Sequence, residues 1–158
     1  MMITFARWEI ESDSTLTREI YKKLRSGAPE TCGCAPCRNF VEARSRIYSA
    51  DVIKLFNSLG ISYDREVEVY HTHRLGPGSH HYGGWFHFVG RIVSGSDAAR
   101  QIAANAWGFD LEKVSSDFEL GFTDRIGLLK EPFKGYPVVQ LEFQAAVPWL
   151  LAEAEPES

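Results

Sequence analysis

Arg65–Val93 reads REVEVYHTHRLGPGSHHYGGWFHFVGRIV, and this stretch decides the fold. Its first nine residues alternate, with Val67, Val69, His71 and His73 on one face and Glu66, Glu68, Tyr70 and Thr72 on the other. A period of two is that of a strand, so a strand is predicted over 65–73. Leu75-Gly-Pro-Gly-Ser79 is turn chemistry, because glycine and proline supply the dihedral angles that reverse a chain. Residues 84–93 return as a second strand. Phe86, Phe88 and Ile92 share one face, opposite Trp85, His87, Val89 and Val93. The two runs predict an antiparallel hairpin with a long loop, and that loop carries His80 and His81.

Further strands are expected near 117–123, on Phe118, Leu120 and Phe122, and over 137–145, on Val139, Leu141 and Phe143. Pro148 should end that ladder because it has no N–H to donate. Residues 2–10 read as one more strand, in which Trp8 and Ile10 shift the phase set by Ile3 and Phe5, suggesting a bulge or an end. Helices are predicted over 15–25 (Leu16, Ile20, Tyr21, Leu24), 36–47 (Phe40, Ala43, Ile47) and 50–59 (Val52, Leu55, Phe56, Leu59). Ser49 and Gly60 are a fitting cap and stop for the last of these. Glu42, four residues before Arg46, is placed for an ion pair. Gly27–Thr31 reads as a polar linker, and the alanine-rich run 97–106 behind Ser96 as a short helix. The fold expected is a single α+β domain over 1–151. It has a mainly antiparallel sheet of four or five strands, with the helices of the first third packed on one face. The acidic tail 152–158 is expected to be disordered.

A chain of 158 residues with 44% hydrophobic and 13% aromatic content can bury a core without staples. Its net charge of −4 offers no overall basic field for nucleic acid. Residues 15–50 run against that balance, with seven Lys and Arg against three Glu, a pattern that fits a solvated helical face better than an anion patch. The N-terminal residues lack the pattern of a secretory signal, and no run approaches the ~20 apolar residues of a membrane helix. With three cysteines, an odd number, these features lead to the expectation of a reducing cytoplasm and no membrane partner.

Those three cysteines, Cys32, Cys34 and Cys37, fall within C-G-C-A-P-C. Thiolates grouped this closely are soft ligands and nucleophiles. As ligands they suit zinc in a structural site, which takes four donors and would need a histidine here. All five histidines lie within 71–87. His81 is favoured as the fourth ligand, since a loop can reach the cysteines where strand positions cannot. As nucleophiles, Cys34-Ala-Pro-Cys37 resembles the C-x-P-C site of thioredoxin-like proteins, which would make the chain a thiol oxidoreductase. Ser26–Gly33, polar and turn-like, replaces the apolar strand that such a site follows. A third reading leaves the thiols reduced and inert. His71 and His73, about 7 Å apart on one strand face, resemble the H-x-H of cupins but lack its following glutamate. Trp85 and its aromatic neighbours read as core more readily than as a ligand groove.

Cys32-Gly-Cys-x-x-Cys-Arg-Asn-Phe40, Leu59-Gly-Ile61, the strand carrying Glu66 and Glu68, Tyr82-x-Gly-Trp-Phe-His-Phe-Val-Gly90 and Val147-Pro-Trp149 together resemble a family of small bacterial proteins of unknown function. The resemblance spans about 30–150 and implies no activity. It implies that the cysteine motif and the hairpin belong to one module.

Overall fold

The computed structural model describes residues 1–158. Its elements run β1 (Met2–Phe5), β2 (Trp8–Ser12), α1 (Ser14–Tyr21), α2 (Ala28–Cys32), α3 (Ala35–Ile47), α4 (Ala50–Leu59), β3 (Glu68–Gly76), β4 (Ser79–Ser94), β5 (Ala99–Ala103), β6 (Ala106–Phe109), β7 (Glu112–Ser115), β8 (Phe118–Thr123) and β9 (Val138–Pro148). The α+β class holds, and every strand pairing is antiparallel. The sheet, however, has seven strands rather than four or five. Six run in the order β1-β2-β4-β9-β8-β7, with β3 also paired to β4. The 2–10 segment is a hairpin, not one strand, because Ala6 at φ 49° turns the chain between Phe5 and Trp8. That turn is what the phase shift records.

β4 is the spine. Along one edge it pairs first with β3, through Ser79–Trp85, and then with β2, through Gly90–Ser94. Along the other it pairs with β9 from Ser79 to Val89. The β3–β4 connection is not the long loop expected but a two-residue turn, with Gly76 opposite Ser79 and Gly78 at φ 73°. Proline followed by left-handed glycine is the signature of a type II turn. His80 and His81 are therefore strand residues. A bulge between His71 and His73 separates the two imidazoles. His71 lies against His80, while His73 stacks on His81.

The helices follow the apolar periodicity. In α4, Ser49 caps through its hydroxyl on Val52 N–H, and the chain leaves at Gly60, φ 83°. Phe40 of α3 meets Tyr82 and Phe143, Phe56 of α4 meets Phe86, and Tyr48 between them meets Phe86, Phe118 and Phe143. These sheet partners are alternate residues of β4, β8 and β9, so the helices and the sheet share one core. Gly27–Thr31 is not a linker, since Pro29 starts α2 in its first turn, where a missing N–H is harmless. The 97–106 helix is also overturned. Ala99–Ala103 and Ala106–Phe109 form a separate two-stranded ribbon, where cross-strand pairing outweighs alanine's helix propensity. Glu42 and Arg46 form no ion pair; the cation that matters in α3 is Arg44. β9 ends at Pro148 as expected. The tail is irregular, and Glu153 pairs with Arg38 while Glu155 pairs with Arg74 and His80.

The sheet's second face is polar where it is buried. Glu142 is 1% exposed and accepts from Gln140 Nε2 at 2.7 Å and from the Tyr70 hydroxyl at 3.5 Å. Burial pushes its carboxyl up to about 7. A carboxyl whose folded pKa is raised holds its proton more tightly when folded, so it stabilises the fold at low pH and loses that contribution as pH rises through about 7. Glu142→Gln is expected to remove a pH-dependent loss on the order of 2 kcal/mol between pH 5 and pH 8. Urea denaturation at the two pH values checks this. A variant whose stability keeps the wild-type slope would show that Glu142 is ionised throughout.

Candidate metal centre

The cysteines sit at the elbow between α2 and α3. Cys32 ends α2, Gly33 turns the chain at φ 75°, Cys34 is the N-cap of α3, and Cys37 lies in its first turn behind Pro36. A left-handed residue with open space around it favours glycine for its backbone angle alone. That single turn brings Cys32 Sγ to 3.2 Å from Cys34 Sγ. The three sulfurs lie within 4.8 Å of one another, with Cys32 and Cys34 exposed and Cys37 buried. No disulfide joins them.

The elbow is fixed from both sides. Arg38 donates Nε–H to the Gly33 carbonyl at 3.1 Å and pairs with Glu153 from the tail. The Tyr82 hydroxyl of β4 donates to the Pro36 carbonyl at 2.7 Å. Asn39 holds the chain after β9, donating to Pro148 O and accepting from Leu150 N. Unpaired N–H groups of the first turn of α3 face the N-cap, where the helix dipole favours negative charge. The thiol of Cys32 is held below its ordinary value by the backbone N–H of Cys34 and by the neighbouring thiols. Burial, followed by the thiols of Cys34 and Cys32, pushes Cys37 up. One thiol thus ionises more readily than the other, a split that a shared cation would remove.

Glu30, two residues before Cys32, receives two hydrogen bonds from Arg44, at 2.7 and 3.1 Å. Arg44 also donates to both oxygens of Glu66, at 2.8 and 3.2 Å, and the Tyr48 hydroxyl donates to Glu66 at 2.7 Å. This network anchors α2 to α3 and to the segment entering β3. Sequence reading missed it. Its only signal was an excess of basic residues, taken for solvated, from which Arg44 is in fact drawn into the interior at 8% exposure.

The structure brings Cys32, Cys34 and Cys37 together and does not bring His81 to them. His81 lies in β4 with its ring hydrogen-bonded to the Thr72 hydroxyl and stacked on His73. His71 Nε2 is 2.9 Å from His80 Nδ1, and His80 Nε2 is 3.1 Å from Glu155, so these two rings are engaged with each other and with the tail. No helix is long and apolar enough to cross a membrane. Comparison with family models, with curated proteins and with solved structures returns no match.

Two outcomes follow from this geometry. In metal-free, reduced protein, Cys32 and Cys34 should react rapidly with a disulfide reagent and Cys37 only on a slower timescale, read as two kinetic phases of thiol release. Arg44→Leu should destabilise the fold by about 3–5 kcal/mol, because it leaves Glu66 charged and unpaired in the interior. That deficit should shrink on acidification as Glu66, already raised by burial, takes a proton. Thermal and urea denaturation at neutral and mildly acidic pH measure both effects.

Proposed function

We propose that this chain is a zinc protein in which Cys32, Cys34 and Cys37 hold one ion, and that the ion locks the α2–α3 elbow in a binding or scaffolding module. The observation that carries this reading is the convergence of three sulfurs within 4.8 Å. Thiolates sharing a zinc at about 2.3 Å stand roughly 3.8 Å apart, so small side-chain rotations suffice. Three thiolates side by side repel one another, and a divalent cation turns that repulsion into attraction. Zinc favours a fourth donor. With His81 committed to Thr72 and His73, the reading leaves that position to water or an external ligand, on the side where Cys32 and Cys34 are exposed.

Elemental analysis of the purified protein, combined with a thiol count, tests the proposal. The expected result is about one zinc per chain, thiols shielded until a chelator is added, and a fall in melting temperature on chelation. Serine at any of the three cysteines should abolish retention, while His81→Ala should retain zinc. Metal-free protein whose stability ignores added zinc would overturn it.

Thiol redox chemistry has one observation in its favour, the 3.2 Å contact between two exposed sulfurs. It points to Cys32 and Cys34 as the pair, since Cys37 is buried. A metal-free protein with a disulfide that follows the glutathione ratio would select this reading.

A further inference from the structure

A cavity of about 190 Å³ lies where the start of α2, the segment 65–67, His87 of β4 and the 128–133 loop meet. Apolar cavities of roughly 150 Å³ take up benzene, so this one admits a single small ring. Leu24, Val67 and Phe133 supply apolar wall. The floor is polar, and its two polar side chains are nearly inaccessible, with His87 at 1% and Glu66 at 2% exposure.

Both floor groups are hydrogen-bond acceptors. Gln140 donates its Nε2–H to Glu142, and its Oε1 receives Gly127 N–H at 2.8 Å. That oxygen is therefore the acceptor toward His87 Nε2, 3.1 Å away, and Nε2 carries the ring proton. Burial holds His87 below its ordinary value, so the ring is neutral and Nδ1 is left as an acceptor. The ring's polar contacts are with Gln140 Oε1 and with the backbone of Gly127, which itself donates to that same Oε1. Glu66 Oε1 receives one hydrogen bond, from Arg44, and keeps a lone pair. It faces Gly27, where an added Cβ would stand 2.7 Å from it, and Gly27 lines the cavity. The two nearby guanidinium groups are committed: Arg44 is shared by Glu30 and Glu66, and Arg65 is paired with Asp64 at 2.8 Å. Lys130, which forms no ion pair and whose charge is felt at His87, and Glu131 add one charge of each sign to the lining. Acceptors that open onto the cavity, with one carboxylate in excess over the cations around them, suit a ligand that brings donors and positive charge.

We propose that this cavity binds a small organic cation, a primary ammonium or amidinium on a short apolar body, with its N–H groups donated to His87 Nδ1 and Glu66 Oε1. The inference is independent of the metal reading, because no cysteine lines the cavity.

Titration of the intact chain with benzylamine, benzamidine, benzyl alcohol and benzoate, followed by amide NMR shifts, tests it. The two cations should give saturable shifts centred on Leu24, Ala28 and His87, with affinity at least tenfold above that of the alcohol and no saturation by benzoate. His87→Gln keeps a donor for Gln140 but loses the ring acceptor, and should weaken cation binding at least tenfold. If that variant does not fold, Leu24→Trp, which fills the mouth, should exclude both cations. Equal binding of alcohol or benzoate, undiminished cation binding in the folded variants, or no saturable binding of any probe would overturn the proposal.

Discussion

Arg44 is the joint on which the helical layer turns. Its guanidinium bridges Glu30 of α2 and Glu66 at the entry to β3, and Tyr48 completes the carboxylate's hydrogen bonds. A buried ion group of this kind is weak as a source of net stability, since desolvation offsets most of the Coulombic gain. Its value lies in specificity, because few arrangements of three elements satisfy every donor and acceptor. A guanidinium presents a planar fork that two carboxylates can grip from different sides, which an ammonium could not do. The same contacts decide where the cysteine elbow sits and close the back of the cavity beneath Gly27. The two candidate sites thus share a wall without sharing a residue that does chemistry.

The sheet divides its labour by face. Alternate residues of β4, β8 and β9 send aromatic rings toward the helices, where Tyr48 touches five other aromatic side chains besides Phe40. The opposite face carries Tyr70, His87, Gln140 and Glu142, linked in part through hydrogen bonds. Burying polar groups costs free energy unless each is paired. Apart from Ser12 Oγ, no fully buried side-chain polar atom lacks a partner. A chain with one oily and one hydrogen-bonded face leaves a sheet of this length with a single register.

Much of this was legible in the sequence because it is local. The α4 stripe with its serine cap and glycine stop, the helix behind Pro36, and the alternation around Phe86 and Phe88 all record periodicities that burial imposes. What was not legible depended on partners far along the chain. Ala99–Ala103 has helix propensity, yet it pairs across a turn. Thr72 introduces a bulge that no alternation rule anticipates, and it separates His71 from His73. The turn at Pro77-Gly78 was recognised but overestimated in length, which put His81 in a loop that does not exist. The cysteine triplet was the clearest chemical signal in the chain. The acid–base network that holds it in place was invisible, because its members lie far apart in sequence and look like ordinary surface charges.

β9 lies between β4 and β8, so the sheet's interior is completed by the strand that comes after all the others in the sequence. While a ribosome is still extending the chain, β4 can already pair with β2 and β3 on one edge, but its other edge has no occupant. The facing edge of β8 is equally open. Nascent chains shorter than Pro148 therefore display two unpaired ladders beside a row of phenylalanines, the combination most prone to join with a neighbouring copy. Proper assembly depends on β9 emerging before such encounters occur. In a cell, the strand that matters most for solubility is one that the folding chain must wait for.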